Sequence, residues 1–287
     1  MKFDFVRKIP ETVLSVAALG LFVRNRQAFL VGGAVRDLMM GRTPKDWDLA
    51  TDATPDEIIK SFSNSRTFNT FVVGHGEKHG TVGVHDVMSG MNVEITTFRK
   101  DVECDGRHSK VVFAKTIEED LSRRDFTFNA MAVNLKNFEF IDLFDGQKDL
   151  EDHIIRLVGD STDRIKEDYL RMLRAVRFMA LDDRMEFDGL LSSAICKYSG
   201  NITQVSVERQ TAELIKLLMY PKPSRAIREA ISYGLLDVIL PELSSMDGMG
   251  QNRWHEVYEC SRCGKEFVKI LEDNFVGFYS REENESK

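Results

Sequence analysis

The first part of the chain alternates short apolar runs with glycine, asparagine and aspartate, residues that end such runs. FLVGG (29–33) predicts a strand that ends at a glycine turn, and AVRDLMMG (34–41) predicts a short helix. DWDLAT (46–51) predicts a second strand, and TPDEIIKSF (54–62) predicts an amphipathic helix whose threonine is a suitable N-cap. A glycine turn is therefore expected between a strand and a helix, with a second strand close behind.

Two further pairs of apolar runs are separated by short polar turns. GTVGVHDV (80–87) and MNVEITTF (91–98) predict one hairpin, and AMAVNL (130–135) with FEFIDLF (138–144) predicts another. The pattern predicts an α+β head, with a mixed or antiparallel sheet covered by helices.

After Gly146 the strand signals almost vanish and long patterns with helical spacing replace them. DRIKEDYLRMLRAVRFMALD (163–182), VSVERQTAELIKLLMY (205–220) and SRAIREAISYGLLDVIL (224–240) each predict one helix. The second half is therefore expected to be all helical.

These patterns predict three domains. A catalytic head is expected over residues 1–146, a helical neck over 147–204 and a short helical body over 205–287, whose charged end SREENESK is expected to be disordered.

Composition restricts the class of protein. A hydrophobic fraction of 43% is ordinary for a globular chain, and no apolar run approaches the roughly 20 residues of a membrane span. Four cysteines are too few for a disulfide framework in a chain of 287 residues, which favours the cytoplasm. The net charge of -7 argues against a protein that coats nucleic acid, but a local basic face remains compatible with it. Neither a membrane nor DNA is expected as a partner.

Asp46 and Asp48 are the strongest candidates for chemistry. Side chains two positions apart on a strand project from one face, so these carboxylates would lie side by side while Trp47 points away. Mg²⁺ prefers oxygen ligands and commonly uses one or two carboxylates together with substrate phosphates. The pair therefore indicates a site for phosphoryl or nucleotidyl transfer, and the alternative is an ordinary solvated strand end.

The preceding glycines favour the metal site over that alternative. Backbone amides of Gly32 and Gly33, at a turn that leads into a helix, can approach phosphate oxygens without interference from a side chain. Arg36 would add a charged contact. Glu94 in VEITTFR is a third candidate ligand, and its alternative is an exposed strand carboxylate.

Several motifs resemble those of one known family, the class II tRNA nucleotidyltransferases (CCA-adding enzymes) and bacterial poly(A) polymerases. LVGGAVRDLMMGRTPKDWDLAT (30–51) is similar to the family's first motif, and EEDLSRRDFTFNAMA (118–132) is similar to its second. EDYLRMLRAVRF (167–178) resembles the nucleotide-selecting motif, and ERQTAEL (208–214) resembles a later helical motif. The motifs follow the family's order along the chain.

The resemblance implies roles for residues of the head. It implies that Asp46 and Asp48 bind the catalytic metals, with Glu94 at the position of the third carboxylate. Gly33, Arg36 and Arg124 match residues that contact the nucleotide in the family. Asp125 and Asn129 match the segment associated with ribose recognition.

In the neck, Asp168, Arg171, Arg174 and Arg177 match residues that read the base and bind the triphosphate. An aspartate and an arginine together could present a Watson–Crick-like edge to cytosine or adenine. The alternative is a solvated helix on which Glu167, Asp168 and Arg171 form local ion pairs.

The implied activity is template-independent, Mg²⁺-dependent addition of CCA to the 3′ end of tRNA from CTP and ATP. Poly(A) polymerase, CC-adding and A-adding enzymes share the same head and stay open as alternatives. A catalytically silent RNA-binding module is a further alternative, but it predicts loss of a metal carboxylate, and Asp46, Asp48 and Glu94 are all present. A transferase for small molecules or proteins would not need Asp168 and Arg171.

The C-terminal part departs from the family pattern. Family members usually continue well beyond this length, so a shortened C-terminal region is expected, with consequences for the grip on tRNA rather than for the chemistry. Cys260 and Cys263 have half the spacing of a zinc site, which needs four ligands, and a reduced pair of thiols is the alternative.

Overall fold

The computed structural model describes residues 4–73, 80–104 and 109–241 of the chain. These residues form two compact units. The first contains the described residues up to Asp152 together with Arg156–Asp160, and the second contains His153–Ile155 together with the described residues from Ser161 onwards. The domain boundaries expected at 146 and 204 stay predictions.

The first unit is built on a seven-stranded mixed sheet, as predicted. The strands are β1 (Phe29–Val31), β2 (Asp48–Thr51), β3 (Phe68–Val72), β4 (Thr81–Asp86), β5 (Asn92–Thr97), β8 (Met131–Asn134) and β9 (Phe140–Asp142). Their order in the sheet is β3-β4-β5-β2-β1-β8-β9, in which β2 and β5 are parallel and the other neighbours are antiparallel. A separate antiparallel pair consists of β6 (Arg99–Cys104) and β7 (Ser109–Phe113). Both predicted hairpins, β4–β5 and β8–β9, are confirmed.

Five helices accompany this sheet in the described part of the first unit. They are α1 (Glu11–Gly20), α2 (Gly33–Met39), α3 (Pro55–Phe62), α4 (Ile117–Ser122) and α5 (Gly146–Glu151). Thr54 is the N-cap of α3, as predicted, and it forms a reciprocal capping box with Glu57. Leu30, Leu49 and Ile95 are fully buried on the central strands, which anchors β1, β2 and β5 around the candidate site.

The segment 156–160 belongs to the first unit although it follows a stretch of the second. The Arg156 carbonyl oxygen accepts a hydrogen bond from the Thr127 amide at 3.0 Å, and the Val158 amide donates to the Asp125 carbonyl oxygen at 2.9 Å. Leu157 forms an isolated antiparallel bridge with Phe126. The backbone on both sides of Phe126 is thus held by this returning segment.

The second unit is helical apart from one small sheet. Its helices are α6 (Ser161–Glu167), α7 (Leu170–Met179), α8 (Gly189–Tyr198), α9 (Val207–Leu218), α10 (Ser224–Ser232) and α11 (Leu235–Ile239). The expectation of an all-helical second half is corrected by a parallel pair, β10 (Ile154–Ile155) with β11 (Glu186–Phe187). Strands of two residues are too short to produce a period-two pattern, so the sequence does not reveal them.

Two helices that were predicted as single elements are each divided. The break between α6 and α7 falls at Asp168 and Tyr169, where the Asp168 carboxylate accepts a hydrogen bond from the Leu170 amide at 3.1 Å. Such a local side-chain bond competes with helix continuation. The break between α10 and α11 falls at Tyr233 and Gly234, and Gly234 adopts a φ of 70°, which favours glycine.

No helix in the described part of the chain is both long and apolar enough to cross a membrane. The predictions for the Cys260 and Cys263 pair and for the SREENESK tail fall outside the described residues.

Replacing Gly146 by alanine is expected to destabilise the first unit. An added Cβ would lie 2.7 Å from the Thr127 carbonyl carbon and closer still to its oxygen, so the backbone has to shift. We expect the free energy of unfolding to fall by about 1–3 kcal/mol, as for other overpacked sites. Chemical denaturation of the purified protein measures this change.

Gly189 provides the matched control because it is also the first residue of a helix. A Cβ there meets nothing within 4 Å, so Gly189→Ala should leave stability unchanged or slightly increased. Equal stability of the two variants would contradict the packing argument.

Candidate functional site

The two aspartates lie where β2 begins, but only one of them belongs to the strand. β2 starts at Asp48, and Asp46 lies in a bend just before it, so the expectation that both carboxylates project from one strand is wrong. The ladder with β5 starts at Asp48, and the ladder with β1 includes Leu49 and Ala50. Trp47 is buried while Asp46 is exposed and Asp48 is half-buried, as the alternating pattern requires.

Glu94 is brought to this place by strand pairing. β2 and β5 run parallel with Asp48 opposite Glu94, and the Glu94 amide donates to the Trp47 carbonyl oxygen at 2.9 Å. Neighbouring strands are about 4.8 Å apart, so paired residues lie next to each other. The structure therefore brings the three predicted carboxylates together from two strands and the bend.

The three carboxylates repel one another. Burial raises the pKa of Asp48 to about 6, and the charges of Glu94 and Asp46 add to this, against the opposing charge of Arg124. Burial and the charge of Asp46 also raise the pKa of Glu94. A cation at this position would relieve the repulsion.

The donor set fits a hard cation such as Mg²⁺, because it offers carboxylate oxygens alone. Within the described ranges, however, no three histidine, cysteine, aspartate or glutamate side chains are grouped so that they could hold a metal ion by themselves. Mg²⁺ commonly takes one or two carboxylates and completes its shell with water and substrate phosphates. Asp46 and Asp48 match that smaller requirement.

The predicted glycine turn lies between β1 and α2. Gly32 has a φ of 68° and precedes Gly33, the first residue of α2. A Cβ on Gly32 would lie 2.8 Å from Nη1 of Arg124, so a side chain there would displace the arginine. Both its φ and this close approach require glycine at position 32.

Arg36 is buried on α2, and its side chain is engaged within the protein. Its Nε and Nη2 donate to Asp37 at 2.9 and 2.8 Å, and its Nη1 donates to Oδ1 of Asn129 at 2.9 Å. The Asn129 amide group in turn donates to Asp125 at 3.2 Å. Arg36, Asn129 and Asp125 therefore form one hydrogen-bonded chain, although 93 residues separate Arg36 from Asn129 in the sequence.

Arg124 lies near both the glycine turn and the carboxylates. It forms an ion pair with the buried Asp120, and its charge partly opposes the rise in the pKa of Asp48. The first unit thus gathers every head residue predicted from the sequence around the start of β2 and the turn after β1.

In the second unit, Asp168 and Arg171 each have a different ion-pair partner. Asp168 accepts a hydrogen bond from Arg209 at 2.7 Å, and Arg171 donates to Glu167 at 2.7 Å. The expected continuous helical stripe is interrupted, because Asp168 lies in the break between α6 and α7. The local ion pair predicted by the alternative interpretation is present for Arg171 and Glu167, while Asp168 instead joins α9.

Arg174 and Arg177 share the buried carboxylate of Glu213 on α9. Arg177 donates through Nε at 2.6 Å, and Nη1 of Arg174 lies at 3.7 Å. Burial alone would raise the pKa of Glu213, but the charges of Arg177 and Arg174 outweigh it and the pKa is lowered.

The partners of these arginines are the residues that the predicted site set lacked. Asp120 lies three and four residues before Arg123 and Arg124 in a recognised motif, which is the spacing of ion pairs on a helix, and this signal could have identified it. Arg209 and Glu213 belong to a recognised motif, but the pairing of Glu213 with α7 and of Arg209 with Asp168 depends on helix packing.

Family models match two parts of the chain. Residues 28–156 match the poly A polymerase head domain, and residues 184–246 match the probable RNA and SrmB-binding site of polymerase A.

Curated relatives cover most of this chain. The CCA-adding enzyme of Bacillus licheniformis is 41% identical over 226 residues, which is 77% of this chain and 53% of that protein. The CCA-adding enzyme of Bacillus subtilis is 40% identical over 233 residues, which is 80% of this chain and 53% of that protein. The chain therefore spans about half the length of the curated relatives it matches.

Solved structures agree with the fold. The CCA-adding enzyme of Bacillus stearothermophilus in complex with CTP is 36% identical with a TM-score of 0.67, over 82% of this chain and 53% of that one. The Thermotoga maritima CCA-adding enzyme complexed with tRNA is 25% identical with a TM-score of 0.69, over 94% of this chain and 61% of that one.

Replacing Asp48 by asparagine is expected to stabilise the metal-free protein. The raised pKa means that the folded state binds the proton more tightly than the unfolded chain, so ionisation of Asp48 reduces stability above pH 6. At about pH 7.5 in EDTA, the variant should gain about 1–3 kcal/mol in the free energy of unfolding. Denaturant titrations of both proteins measure the difference.

The same titrations at lower pH provide the internal control. The difference should shrink as the pH falls through about 6 and vanish below the ordinary value of 3.8, where the carboxyl is protonated in both states. Equal stability at about pH 7.5 would contradict the repulsion argument.

Replacing Glu213 by glutamine is expected to destabilise the second unit. The change leaves Arg177, whose side chain is 12% exposed, without its anionic partner. Breaking a buried pair from one side costs about 3–5 kcal/mol, and some exposure of the arginines reduces this to about 2–4 kcal/mol. Chemical denaturation measures the loss in the free energy of unfolding. Glu208→Gln is the matched control, because Glu208 is an exposed carboxylate on the same helix, and we expect its replacement to cost less than about 1 kcal/mol.

Proposed function

The chain belongs to the family of class II tRNA nucleotidyltransferases and bacterial poly(A) polymerases, and we propose that it adds CCA to tRNA 3′ ends without a template. CTP and ATP are the proposed nucleotide substrates. The observation that carries this proposal is the cluster of Asp46, Asp48 and Glu94 beside Arg124, within the segment that matches the head domain. Because the chain spans about half of its curated relatives, the activity and its substrates are proposals for this chain.

We propose Mg²⁺ as the metal, with Asp46 and Asp48 as its protein ligands and Glu94 as the third carboxylate beside them. When bound, the ion would activate the 3′-hydroxyl of the RNA and neutralise charge on the leaving pyrophosphate. Burial raises the pKa of Asp48, and the charges of Glu94 and Asp46 add to this; a cation would offset that repulsion, which supports the assignment.

Residues around the carboxylates would bind and orient the nucleotide. Arg124 would place positive charge against the triphosphate, and the side-chain-free surface of Gly32 and Gly33 would admit it. Arg36 is hydrogen-bonded to Asn129, so we propose that it orients Asn129 and Asp125 for the ribose in addition to its charge. Electrostatic contributions of this kind are strongest when the groups are already held in place.

Selection of the base is assigned to the second unit. Asp168 and Arg171 are held by Arg209 and Glu167, so their side chains are fixed before a nucleotide arrives. A fixed acceptor and a fixed donor would favour the matching edges of cytosine and adenine and leave polar groups unpaired with guanine or uracil, at about 1–3 kcal/mol each. Arg174 and Arg177 are the proposed further contacts with the nucleotide.

RNA is the proposed partner, with tRNA ends as its substrate. The match of residues 184–246 to a probable RNA-binding segment supports this proposal. The location in the cytoplasm stays a prediction.

The test is extension of defined tRNAs. Purified protein is incubated with Mg²⁺ and tRNAs that lack CCA, end in CC or are mature, with CTP, ATP or both, and the products are resolved on a sequencing gel. We expect addition of CCA that then stops. Asp46→Ala should reduce the rate of extension by more than about 100-fold. Loss of a residue that only hydrogen-bonds to a metal ligand already lowers metal affinity or activity by about 10–100-fold.

Asp56→Ala is the matched control, because Asp56 is an exposed carboxylate of the first unit outside the cluster, and it should retain the wild-type rate. Addition of CC alone, of A alone or of an open-ended A ladder would replace the proposed product with that of the corresponding family variant. Binding of tRNA without any extension would favour the silent RNA-binding module.

A further inference from the structure

Asp120 on α4 is the most deeply buried carboxylate near the candidate site. Its side chain is 1% exposed, and it is flanked by two arginines from the next turn, Arg123 and Arg124, whose side chains are 18% and 19% exposed. Burial alone would raise the pKa of Asp120, but the charges of Arg124 and Arg123 outweigh it and the pKa is lowered. Asp120 is therefore an anion in the folded protein.

The two arginines divide the carboxylate between them. Arg123 donates through Nε and Nη2 to Oδ1, at 3.1 and 2.9 Å. Arg124 donates through Nε and Nη2 to Oδ2, at 3.3 and 3.0 Å. Each guanidinium is thus held along one edge, which fixes the orientation of its plane.

The remaining corner of Arg124 is directed towards the glycine turn. Its Nη1 is 3.5 Å from the Asn129 carbonyl oxygen and 2.8 Å from the position that a Cβ on Gly32 would take. The charge of Arg124 also acts on Asp48. Asp120 therefore holds the guanidinium between the turn and the carboxylates, without belonging to either.

We assign different roles to the neighbouring residues Arg123 and Arg124. Arg123 and Arg124 each bind the same carboxylate through Nε and Nη2, and Arg124 also approaches Gly32 and the Asn129 carbonyl oxygen. One negative charge shared by two guanidinium groups leaves a net positive charge, which an anionic ligand can use. Arg123 shares Oδ1 of the buried carboxylate with the Arg99 amide, which donates to it at 3.3 Å.

We propose that Asp120 is a positioning residue that fixes Arg124 over Gly32 and beside Asp48 for the triphosphate of the incoming nucleotide. The inference rests on the proposed function, since it assumes a nucleotide at this site. It assigns Asp120 no contact with the nucleotide itself. Asp120 acts through Arg124, by removing the freedom that the arginine side chain would otherwise lose when the nucleotide binds.

The experiment measures equilibrium binding of ATP and of CTP by titration calorimetry, separately from extension of tRNA. Asp120→Asn keeps the shape of the side chain and removes its charge, so we expect the Kd for each nucleotide to rise by about ten-fold or more. The Kd for tRNA should change by less than about three-fold. Arg123→Gln is the matched control, since it leaves Arg124 bound to Oδ2, and we expect less than about a three-fold change in nucleotide Kd.

A double-mutant cycle distinguishes positioning from general loss of structure. If Asp120 acts through Arg124, Asp120→Asn should weaken nucleotide binding by no more than about two-fold in a protein that already carries Arg124→Gln. Independent, multiplying effects would overturn the proposal. If Asp120→Asn does not fold, Asp120→Glu replaces it in the cycle, because it keeps the charge but lengthens the side chain and shifts the carboxylate that holds Arg124.

The two proposals fail in different ways. Nucleotide binding that depends on Asp120, without extension of tRNA, would support the positioning role and overturn the proposed activity. Extension of tRNA with an unchanged nucleotide Kd in Asp120→Asn would overturn the positioning role and leave the activity in place. Wild-type protein that binds no nucleotide would overturn both.

Discussion

Repulsion among three carboxylates is the constraint on which the rest of the first unit depends. Asp48 and Glu94 are opposite each other because β2 and β5 are parallel, and Asp46 precedes the strand at the same end. The fold therefore keeps the negative charges together rather than separating them, and burial of Asp48 together with the charges of Glu94 and Asp46 raises its pKa. A protein accepts such a loss of stability where a cationic ligand later offsets it. The buried strands around the cluster provide the rigidity that prevents the carboxylates from moving apart.

Six arginines of the two units share one recurring arrangement, in which one carboxylate binds two guanidinium groups. Asp120 takes Arg123 and Arg124, and Glu213 takes Arg174 and Arg177, in sites where the carboxylate is almost fully buried. Glu167 takes Arg164 and Arg171 in a more exposed position. A shared carboxylate orients two cations yet leaves them with a net positive charge, which suits a ligand that carries several negative charges.

The sequence predicts the parts of this structure that depend on local pattern. The alternation of apolar and polar residues identifies β1, α2 and both hairpins, and the threonine cap identifies α3. What it misses depends on distant partners. The start of β2 is set by its neighbours in the sheet, so Asp46 falls outside the strand. The helix break at Asp168 involves Arg209, 41 residues away, and helical spacing alone does not reveal it. Motifs show which residue types carry the chemistry, while the choice of ion-pair partner follows from packing.

The return of residues 156–160 to the first unit has a consequence for how this chain can be dissected or recombined. The segment holds the backbone at Asp125 and Thr127, on both sides of Phe126, although the chain has by then already contributed β10 to the second unit. A fragment that ends soon after α5 would retain the carboxylates and the glycine turn but lack the backbone hydrogen bonds that this segment makes with Asp125 and Thr127. Any chimaera between relatives would have to exchange the returning segment together with the sheet, because the head is contiguous in space and interrupted in sequence.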